Sequence, residues 1–389
     1  MSAKRVFLIV LDSVGAGEMP DAADFGDNGA NTLLSLHKTG RLNIPNLASL
    51  GIGNIEGLEF LGKTESPEAS VARMKELSRG KDTTVGHWEI AGAVSYSPLP
   101  TFPDGFGEDI LSKVRRISGR ELLCNKPYSG TAVIDDYGKE AKEKNAIIIY
   151  TSADSVLQIA AQVNGVMELD ELYSVCERLR GELVGADDRV GRIIARPYIE
   201  KSDGSFSRTE DRRDYSLAPP SVLLPEAVKL AGKDSIAVGK IYDIFAGVGF
   251  TESVRTHNNR EGMKLTEEFI LKDFEGLCFT NLVDFDMCWG HRRDANAYAD
   301  GLCEFDAWLG RILPLLRDDD ILMITADHGC DPSYTRTTDH TREYTPLLIY
   351  GKTLEPKNFS TRNGFFDIAA TIAKELNISL DTDGCAFEL

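Results

Sequence analysis

Six short apolar runs limit what this chain can fold into, because each has the length of a buried strand and is too short to span a membrane. They are residues 6–11, 146–150, 235–238, 277–282, 321–325 and 346–350. Helix-like stretches lie between them, and the clearest, 295–313, has apolar residues at three- and four-residue spacing before Pro314. Alternating strands and helices predict an α/β fold with a central, largely parallel sheet flanked by helices.

Two proline-rich segments divide the chain into regions of different composition. Residues 98–105 read Pro-Leu-Pro-Thr-Phe-Pro-Asp-Gly, and residues 218–220 read Ala-Pro-Pro. The stretch between them is rich in Arg, Glu and Asp. Because joints of this kind are typical of domain boundaries, we predict a core made of residues 1–99 and 218–389, with residues 100–217 inserted as a second domain.

The overall charge excludes several classes of partner. The 389 residues include 61 acidic and 43 basic side chains, which gives a formal net charge of −18. A chain with this charge does not attract nucleic acid or an anionic membrane through bulk electrostatics. A small anionic substrate would therefore need a local source of positive charge.

The seven cysteines indicate the compartment. They are scattered along the chain, and no two of them form a Cys-X-X-Cys pair. This pattern fits neither a disulfide framework nor a zinc ribbon, so it favours a reducing compartment. The apolar run at 6–11 is too short for a secretory signal, and the predicted location is therefore the cytoplasm. The sequence leaves the oligomeric state open.

Acidic residues stand where three of the apolar runs end. One is Asp12, a second is Asp327, and a third is Asp284 or Asp286. The carboxyl ends of parallel strands meet at one edge of a sheet, so we expect these side chains to lie close together. A single strand-end aspartate is usually a turn or helix-cap residue, but three of them converging on one edge favour a metal site.

Three of the six histidines accompany these carboxylates between residues 291 and 340. Mixed carboxylate and imidazole ligands suit manganese, zinc or iron, whereas all-oxygen sites favour magnesium or calcium. The predicted ligands are Asp12, Asp286, Asp327, His291, His328 and His340. Six ligands suffice for two metals, and two metals at a separation of ~4 Å are the familiar arrangement for phosphoryl transfer.

Residues 79–90 contain a candidate nucleophile. They read Arg-Gly-Lys-Asp-Thr-Thr-Val-Gly-His-Trp-Glu-Ile, with Thr83 and Thr84 between two glycines. A hydroxyl beside a metal can lose its proton and attack phosphorus, and the N–H groups of a following helix can hold phosphate oxygens. The alternative is a simple helix cap formed by Asp82 or one of the threonines.

Several segments resemble a known family. Residues 12–17 read Asp-Ser-Val-Gly-Ala-Gly, and residues 20–22 read Pro-Asp-Ala. Residues 80–83 read Gly-Lys-Asp-Thr, residues 86–89 read Gly-His-Trp-Glu, and residues 339–348 read Asp-His-Thr-Arg-Glu-Tyr-Thr-Pro-Leu-Leu. With these segments the chain resembles, essentially end to end, the bacterial phosphopentomutase family of the alkaline phosphatase superfamily.

The resemblance implies an alkaline-phosphatase-like core with an inserted, smaller α/β cap domain. It implies two Mn²⁺ ions per chain. One would be held by Asp286, His291 and His340, and the other by Asp12, Asp327 and His328, with Thr83 completing the second set. The family pattern also makes Thr83 the phosphorylated residue, with Thr84 as its competitor, and favours Asp286 over Asp284 by its spacing to His291.

The resemblance further implies a reaction that moves phosphate between C1 and C5 of ribose or 2-deoxyribose. Phospho-Thr83 would donate to a pentose monophosphate, a sugar bisphosphate would form, and its other phosphate would return to Thr83. A sugar bisphosphate would prime the unphosphorylated enzyme. The residues implied to bind the sugar phosphate are Ser152, Asp154, Arg192, Arg208 and Lys240.

Two other functions remain open at this level. A metal-dependent phosphatase or phosphodiesterase on the same core would let water complete the turnover. A non-catalytic protein that binds divalent metals would carry the same ligands without any turnover of phosphate esters.

Overall fold

The computed structural model describes residues 3–152, 155–185, 189–337 and 339–389, and the chain divides into two compact units. The first unit comprises Met1–Ser97 with Pro219–Leu389, and the second comprises Pro98–Ala218. The second unit begins two residues before the predicted insertion and ends one residue after it. Below, the second unit is called the inserted unit.

The regular elements are as follows. The strands are β1 (Arg5–Leu11), β2 (Ser70–Lys75), β3 (Glu121–Pro127), β4 (Ala146–Thr151), β5 (Val156–Gln162), β6 (Arg192–Glu200), β7 (Phe206–Arg208), β8 (Arg213–Ser216), β9 (Asp234–Val238), β10 (Glu252–Val254), β11 (Gly276–Leu282), β12 (Asp320–Thr325), β13 (Thr345–Tyr350) and β14 (Asn358–Asn363). The α-helices are α1 (Thr32–Lys38), α2 (Pro45–Leu50), α3 (Thr83–Ile90), α4 (Glu108–Ser118), α5 (Ala132–Lys144), α6 (Leu169–Glu182), α7 (Leu224–Leu230), α8 (Ile241–Ile244), α9 (Asn259–Leu271), α10 (Ala295–Ile312) and α11 (Asp367–Glu375). Short 3-10 helices span Ala22–Phe25, Ile52–Asn54, Glu59–Leu61 and Leu313–Leu315, and a π-helix spans Phe285–Gly290.

The first unit is built on an eight-stranded sheet with the order β10-β9-β11-β1-β12-β13-β2-β14. Its central strands β9, β11, β1 and β12 are all parallel to one another, whereas β13 pairs antiparallel with both β12 and β2. The predicted α/β fold with a mostly parallel sheet is confirmed. The sequence pattern located the run that forms β13 but carried no sign that its direction is reversed.

Burial on both faces explains why the central strands read as continuous apolar runs. Strands β1, β11 and β12 are buried along their whole length, as expected for parallel strands covered by helices on both sides. Helix α10 buries the predicted apolar stripe that includes Tyr298, Leu302, Phe305 and Leu309. It ends at Ile312, and the residues around the predicted stop at Pro314 continue as a 3-10 turn.

A buried ion pair aligns β1 with β12 at the start of both strands. Arg5 and Asp320 are direct register partners, their side chains are fully buried, and two hydrogen bonds of 2.7 and 2.6 Å join them. Arg5 also donates to the carbonyls of Ile270 and Lys272. The guanidinium therefore makes four hydrogen bonds within the fold.

We expect Asp320→Ala to lower the free energy of unfolding by about 3–5 kcal/mol, because it leaves the Arg5 charge buried without its partner. Denaturant unfolding measures this. Asp300→Ala is the matched control, since Asp300 forms the same two-bond pair with Arg41 on the exposed surface. Equal losses in the two variants would contradict this account of the buried pair.

The inserted unit has its own sheet and its own core. Strands β3 to β7 lie in chain order, and β8 pairs with β6. On β4, Ile147 and Ile149 face the cluster formed with α4 and α6, while Ile148 and Tyr150 face the cluster formed with α5. This alternation is the two-residue period expected of a strand covered on both sides.

Across the described residues, every helix is too short or too polar to traverse a lipid bilayer.

Candidate active site

The carboxyl ends of three neighbouring parallel strands bring the predicted aspartates together. Asp12 directly follows β1, Asp327 lies just beyond β12, and Asp286 lies on the π-helix that follows β11. In the sheet, β1 stands between β11 and β12, so the three chain segments emerge side by side. Asp12 and Asp327 are fully buried, and Asp286 is almost so.

The first group of ligand atoms combines Asp286 with two histidines. The Nε2 atom of His291 lies 3.4 Å from Asp286 Oδ2, and the Nε2 atom of His340 lies 3.4 Å from Asp286 Oδ1. The two Nε2 atoms are 3.0 Å apart. All three ligand atoms lie within 4.8 Å of one another, which is close enough for one metal ion.

The second group lies around His328. Its Nε2 atom is 3.5 Å from Asp12 Oδ1 and 3.3 Å from Asp327 Oδ2. Asp12, His328 and Asp286 also place ligand atoms within 4.8 Å of one another, so Asp286 borders both groups. The two groups are therefore adjacent, and the ring centroids of His328 and His340 are only 4.0 Å apart.

The donor set fits divalent cations. In this cluster, three buried carboxylate oxygens have no hydrogen-bond partner among the described residues, and they are Asp12 Oδ1, Asp286 Oδ1 and Asp327 Oδ2. The Nδ1 atoms of His328 and His340 contact the carbonyls of Gly329 and Lys81 at 3.1 and 2.8 Å. A carbonyl can only accept, so each Nδ1 carries the proton and each Nε2 presents a lone pair, as metal-binding histidines do.

The electrostatics of the cluster also favour the binding of cations. Burial, together with the charges of Asp327 and Asp286, raises the pKa of Asp12 well above its ordinary value. Burial lowers the pKa of His328 to about 4, so this imidazole is neutral near pH 7 and its lone pair is available. Bound cations would relieve the repulsion between the carboxylates and use that lone pair.

Thr83 is the first residue of α3 and points its hydroxyl at this cluster. Its Oγ1 lies 3.2 Å from His328 Nε2. Asp82 precedes it as the N-cap residue and accepts from the backbone N–H of Val85 at 3.1 Å. The capping interpretation and the nucleophile interpretation of this segment are thus compatible, because the cap is Asp82 and leaves the Thr83 hydroxyl free to face the ligands.

A buried arginine holds the segment before Thr83 against the segment that carries His340. Arg342 is almost fully buried; it forms an ion pair with Glu76 and donates to the Gly80 carbonyl at 2.6 Å. Its own backbone N–H donates to Asp27, which also binds Lys81 at 2.9 Å. These contacts link Thr83 and His340, which are far apart in sequence.

The local contacts distinguish the two candidates that follow β11. Asp284 Oδ2 accepts from the backbone N–H of Asn259 at 2.7 Å, while Asn259 Oδ1 accepts from the Asp284 N–H at 2.9 Å. Asp284 therefore anchors the start of α9, and it is Asp286 that lies among the histidines.

Sequence reasoning missed the role of Glu343. Its buried carboxylate accepts from the N–H of Gly17, from the N–H and hydroxyl of Thr32, and from the hydroxyl of Thr341, at 2.6 to 3.1 Å. Burial raises its pKa to about 7. A Cβ atom at Gly15 or Gly329 would lie within 2.5 Å of this side chain. The signal in the sequence was the motif at 339–343 combined with these two glycines, but neither predicts the contact.

The residues predicted to bind the sugar phosphate are divided between the two units. Lys240 lies in the first unit, before α8, where its charge acts to lower the pKa of Asp12. Ser152, Arg192 and Arg208 lie in the inserted unit, and Asp154 lies outside the described residues.

Comparisons with known proteins first define the class. A model of the metalloenzyme superfamily matches residues 4–380, so the chain belongs to this superfamily. The PH0037 protein of Pyrococcus horikoshii has the same fold with a TM-score of 0.52 and 14% identity, over 99% of this chain and 100% of that one. A phosphoglycerate mutase of Leishmania mexicana, crystallised at low cobalt concentration, matches with a TM-score of 0.51 and 11% identity, over 99% of this chain and 97% of that one.

Curated relatives then define the family. The phosphopentomutase of Lachnoclostridium phytofermentans is 52% identical over 99% of this chain and 98% of its own length. The phosphopentomutase of Acetivibrio thermocellus is 50% identical over the same shares. The chain therefore belongs to the phosphopentomutase family, as its motifs predicted, and it is an enzyme.

Proposed function

We propose that this enzyme interconverts the 1-phosphate and 5-phosphate of ribose or 2-deoxyribose in the cytoplasm, the compartment that its seven free thiols favour. The observation that carries the proposal is the position of the Thr83 hydroxyl. It lies 3.2 Å from His328 Nε2, at the edge of a buried cluster in which three carboxylate oxygens have no hydrogen-bond partner among the described residues. In a member of the phosphopentomutase family, this is the arrangement that a phosphoryl-accepting threonine requires.

The metal ligands in this proposal are the six aspartates and histidines of the cluster, with Thr83 as a seventh ligand. Asp286, His291 and His340 would hold one Mn²⁺, and a second set comprising Asp12, Asp327, His328 and Thr83 would hold the other. Two such ions supply positive charge to phosphoryl oxygens and lower the pKa of a nearby hydroxyl. The buried oxygens without partners and the histidine tautomers support this assignment.

The proposed reaction consists of two phosphoryl transfers, and both involve Thr83. Phospho-Thr83 gives its phosphoryl group to the free hydroxyl of a pentose monophosphate: the bond from Thr83 Oγ1 to phosphorus breaks, a bond from the sugar oxygen to phosphorus forms, and Thr83 Oγ1 regains the proton that the sugar hydroxyl loses. In the return transfer, the other sugar oxygen–phosphorus bond of the bisphosphate breaks, a bond from Thr83 Oγ1 to phosphorus forms, and the Thr83 proton ends on the sugar oxygen. A sugar bisphosphate primes enzyme that has lost its phosphate.

The sugar phosphate itself would be bound by Ser152, Asp154, Arg192, Arg208 and Lys240. Arginine suits phosphate because its planar guanidinium donates two parallel hydrogen bonds, whereas lysine acts as a point charge. On the inserted unit, the side chains of Arg192 and Arg208 are already ordered by Asp214 at 3.5 Å and Thr131 at 3.1 Å. Such ordering lowers the entropy lost when a phosphate binds.

A single incubation separates the mutase from a hydrolase on the same core. With Mn²⁺, ribose 5-phosphate and a catalytic amount of a sugar bisphosphate, we expect ribose 1-phosphate to appear without free phosphate, as followed by phosphorus NMR. Steady release of free phosphate would favour the phosphatase instead. Bound metal without turnover of any phosphate ester would favour a non-catalytic metal-binding protein.

A further inference from the structure

We propose that His87 and Asn281 are positioning residues that orient the two aspartates beside Thr83, and so set the affinity of one of the two metal sites and not the other. This inference rests on the proposed function, because it assumes that Asp12 and Asp327 ligate the second ion. It concerns two buried side chains to which the proposed reaction gives no task.

His87 lies one turn after Thr83 on α3 and is fully buried. Its Nδ1 atom is 2.8 Å from the carbonyl of Thr83 and 3.1 Å from Asp327 Oδ2. Both neighbours are acceptors, so Nδ1 carries the proton, donates it to the Thr83 carbonyl and keeps it close to Asp327 Oδ2. One imidazole N–H thus lies between the backbone of the proposed nucleophile and a carboxylate oxygen that has no hydrogen bond among the described residues.

Asn281 completes the arrangement from strand β11. Its side-chain amide nitrogen lies 2.9 Å from Asp12 Oδ2 and 3.2 Å from His87 Nε2. An amide carries two N–H groups, so it can donate to both at once, and His87 accepts at the nitrogen that bears no proton. The contacts form a continuous path from Asp327 through His87 and Asn281 to Asp12.

This path occupies one side of the cluster. It ends on Asp12 Oδ2 and Asp327 Oδ2. The other oxygen of Asp12, Oδ1, then lies 3.5 Å from His328 Nε2, and Asp327 Oδ2 lies 3.3 Å from the same nitrogen. The other group is oriented differently, because His340 is held by the Lys81 carbonyl at 2.8 Å. Outer hydrogen bonds of this kind fix ligand direction, and their removal typically lowers metal affinity by about 10- to 100-fold. Removing His87 or Asn281 should therefore weaken binding of the ion assigned to Asp12, Asp327 and His328, and not binding of the other ion.

The experiment measures the number and affinity of bound Mn²⁺ ions on the full-length protein by titration calorimetry and electron paramagnetic resonance. We expect wild type to bind two ions. His87→Ala should lower the affinity for one ion by about 10- to 100-fold and leave the affinity for the other unchanged. Asn281→Ala should lower the affinity for the same ion. His87→Asn should recover most of the affinity, because its amide N–H can replace Nδ1–H.

Controls keep the result interpretable. His37→Ala removes an exposed histidine from α1 and should leave both affinities unchanged. If His87→Ala does not fold, His87→Gln supplies the comparison, since it keeps a polar side chain but moves its amide away from Asp327. Equal weakening of both ions, or no weakening of either, would overturn the positioning role. Wild type that binds fewer than two ions would instead contradict the proposed function and this inference with it.

Discussion

Replacing Thr83 by alanine is expected to abolish phosphoryl transfer while most of the metal binding remains. The hydroxyl is the proposed acceptor of phosphate, so its loss should lower kcat by ~10⁴-fold or more, as removal of a covalent nucleophile does in other enzymes. The carboxylates and imidazoles of the cluster are unaffected by the change. Steady-state kinetics and Mn²⁺ titration of the same preparation measure both quantities.

Thr84→Ala is the matched control for this prediction. It removes the same hydroxyl from the next residue, but it is Thr83 Oγ1 that lies 3.2 Å from His328 Nε2. We expect Thr84→Ala to keep most of the activity. Activity that survives in Thr83→Ala and disappears in Thr84→Ala would show that the nucleophile is assigned to the wrong threonine.

Removing divalent metal is also expected to cause a large loss of activity. Without cations, no positive ion offsets the buried carboxyl groups of Asp12, Asp286 and Asp327 in a chain whose net charge is −18, so the site no longer attracts a phosphate. Chelation should lower kcat/KM by ~10³-fold or more, since each unit of phosphoryl charge then loses its electrostatic stabilisation. Dialysis against a chelator followed by Mn²⁺ addition measures the loss and the recovery.

Chelation of the divalent metal should also lower the melting temperature of the protein. Ions that bind only the folded state stabilise it by about 2.7 kcal/mol when their free concentration is 100 times the Kd. His291→Ala should reproduce part of both effects, and His257→Ala is the matched control because His257 is an exposed histidine bound to Glu261. Full activity and an unchanged melting temperature after complete chelation would contradict a metal-dependent mechanism.

Much of the fold followed from the sequence because its strands are buried on both faces. Such strands appear as continuous apolar runs, and the runs at 6–11, 277–282 and 321–325 became adjacent parallel strands. The antiparallel direction of β13 could not be predicted, because an apolar run has the same pattern in either direction. Strands β2 and β14, which lie at one side of the sheet, carry too many polar residues to stand out.

The site was predictable to the extent that strand ends define it. Aspartates that directly follow parallel strands must meet, and that rule places Asp12 and Asp327 together. It does not separate Asp284 from Asp286, because that choice depends on the long-range contact between Asp284 and Asn259.

The supporting residues were not predictable for the same reason. Glu343 binds partners more than three hundred residues earlier in the chain, and Asn281 reaches Asp12 across neighbouring strands. Their functions depend on pairings that only the folded sheet creates.

The charge of the chain is consistent with this account. Bulk acidity excludes polyanionic partners, yet two divalent ions would add four positive charges where a substrate phosphate binds. Attraction of a small anion then depends on the bound ions, which is why chelation and Thr83→Ala are expected to have large effects for different reasons. Chelation removes the positive charge of the ions, and Thr83→Ala removes the atom that accepts phosphate.

The location of the phosphoryl group on the enzyme tests the central claim most directly. The protein, loaded with Mn²⁺, would be incubated with a sugar bisphosphate, digested, and fragmented in a mass spectrometer to assign the modified residue. We predict a single phosphate on Thr83, which disappears when excess pentose monophosphate is added. A phosphate on Thr84, or an enzyme that stays unphosphorylated while it interconverts the two pentose phosphates, would contradict the account.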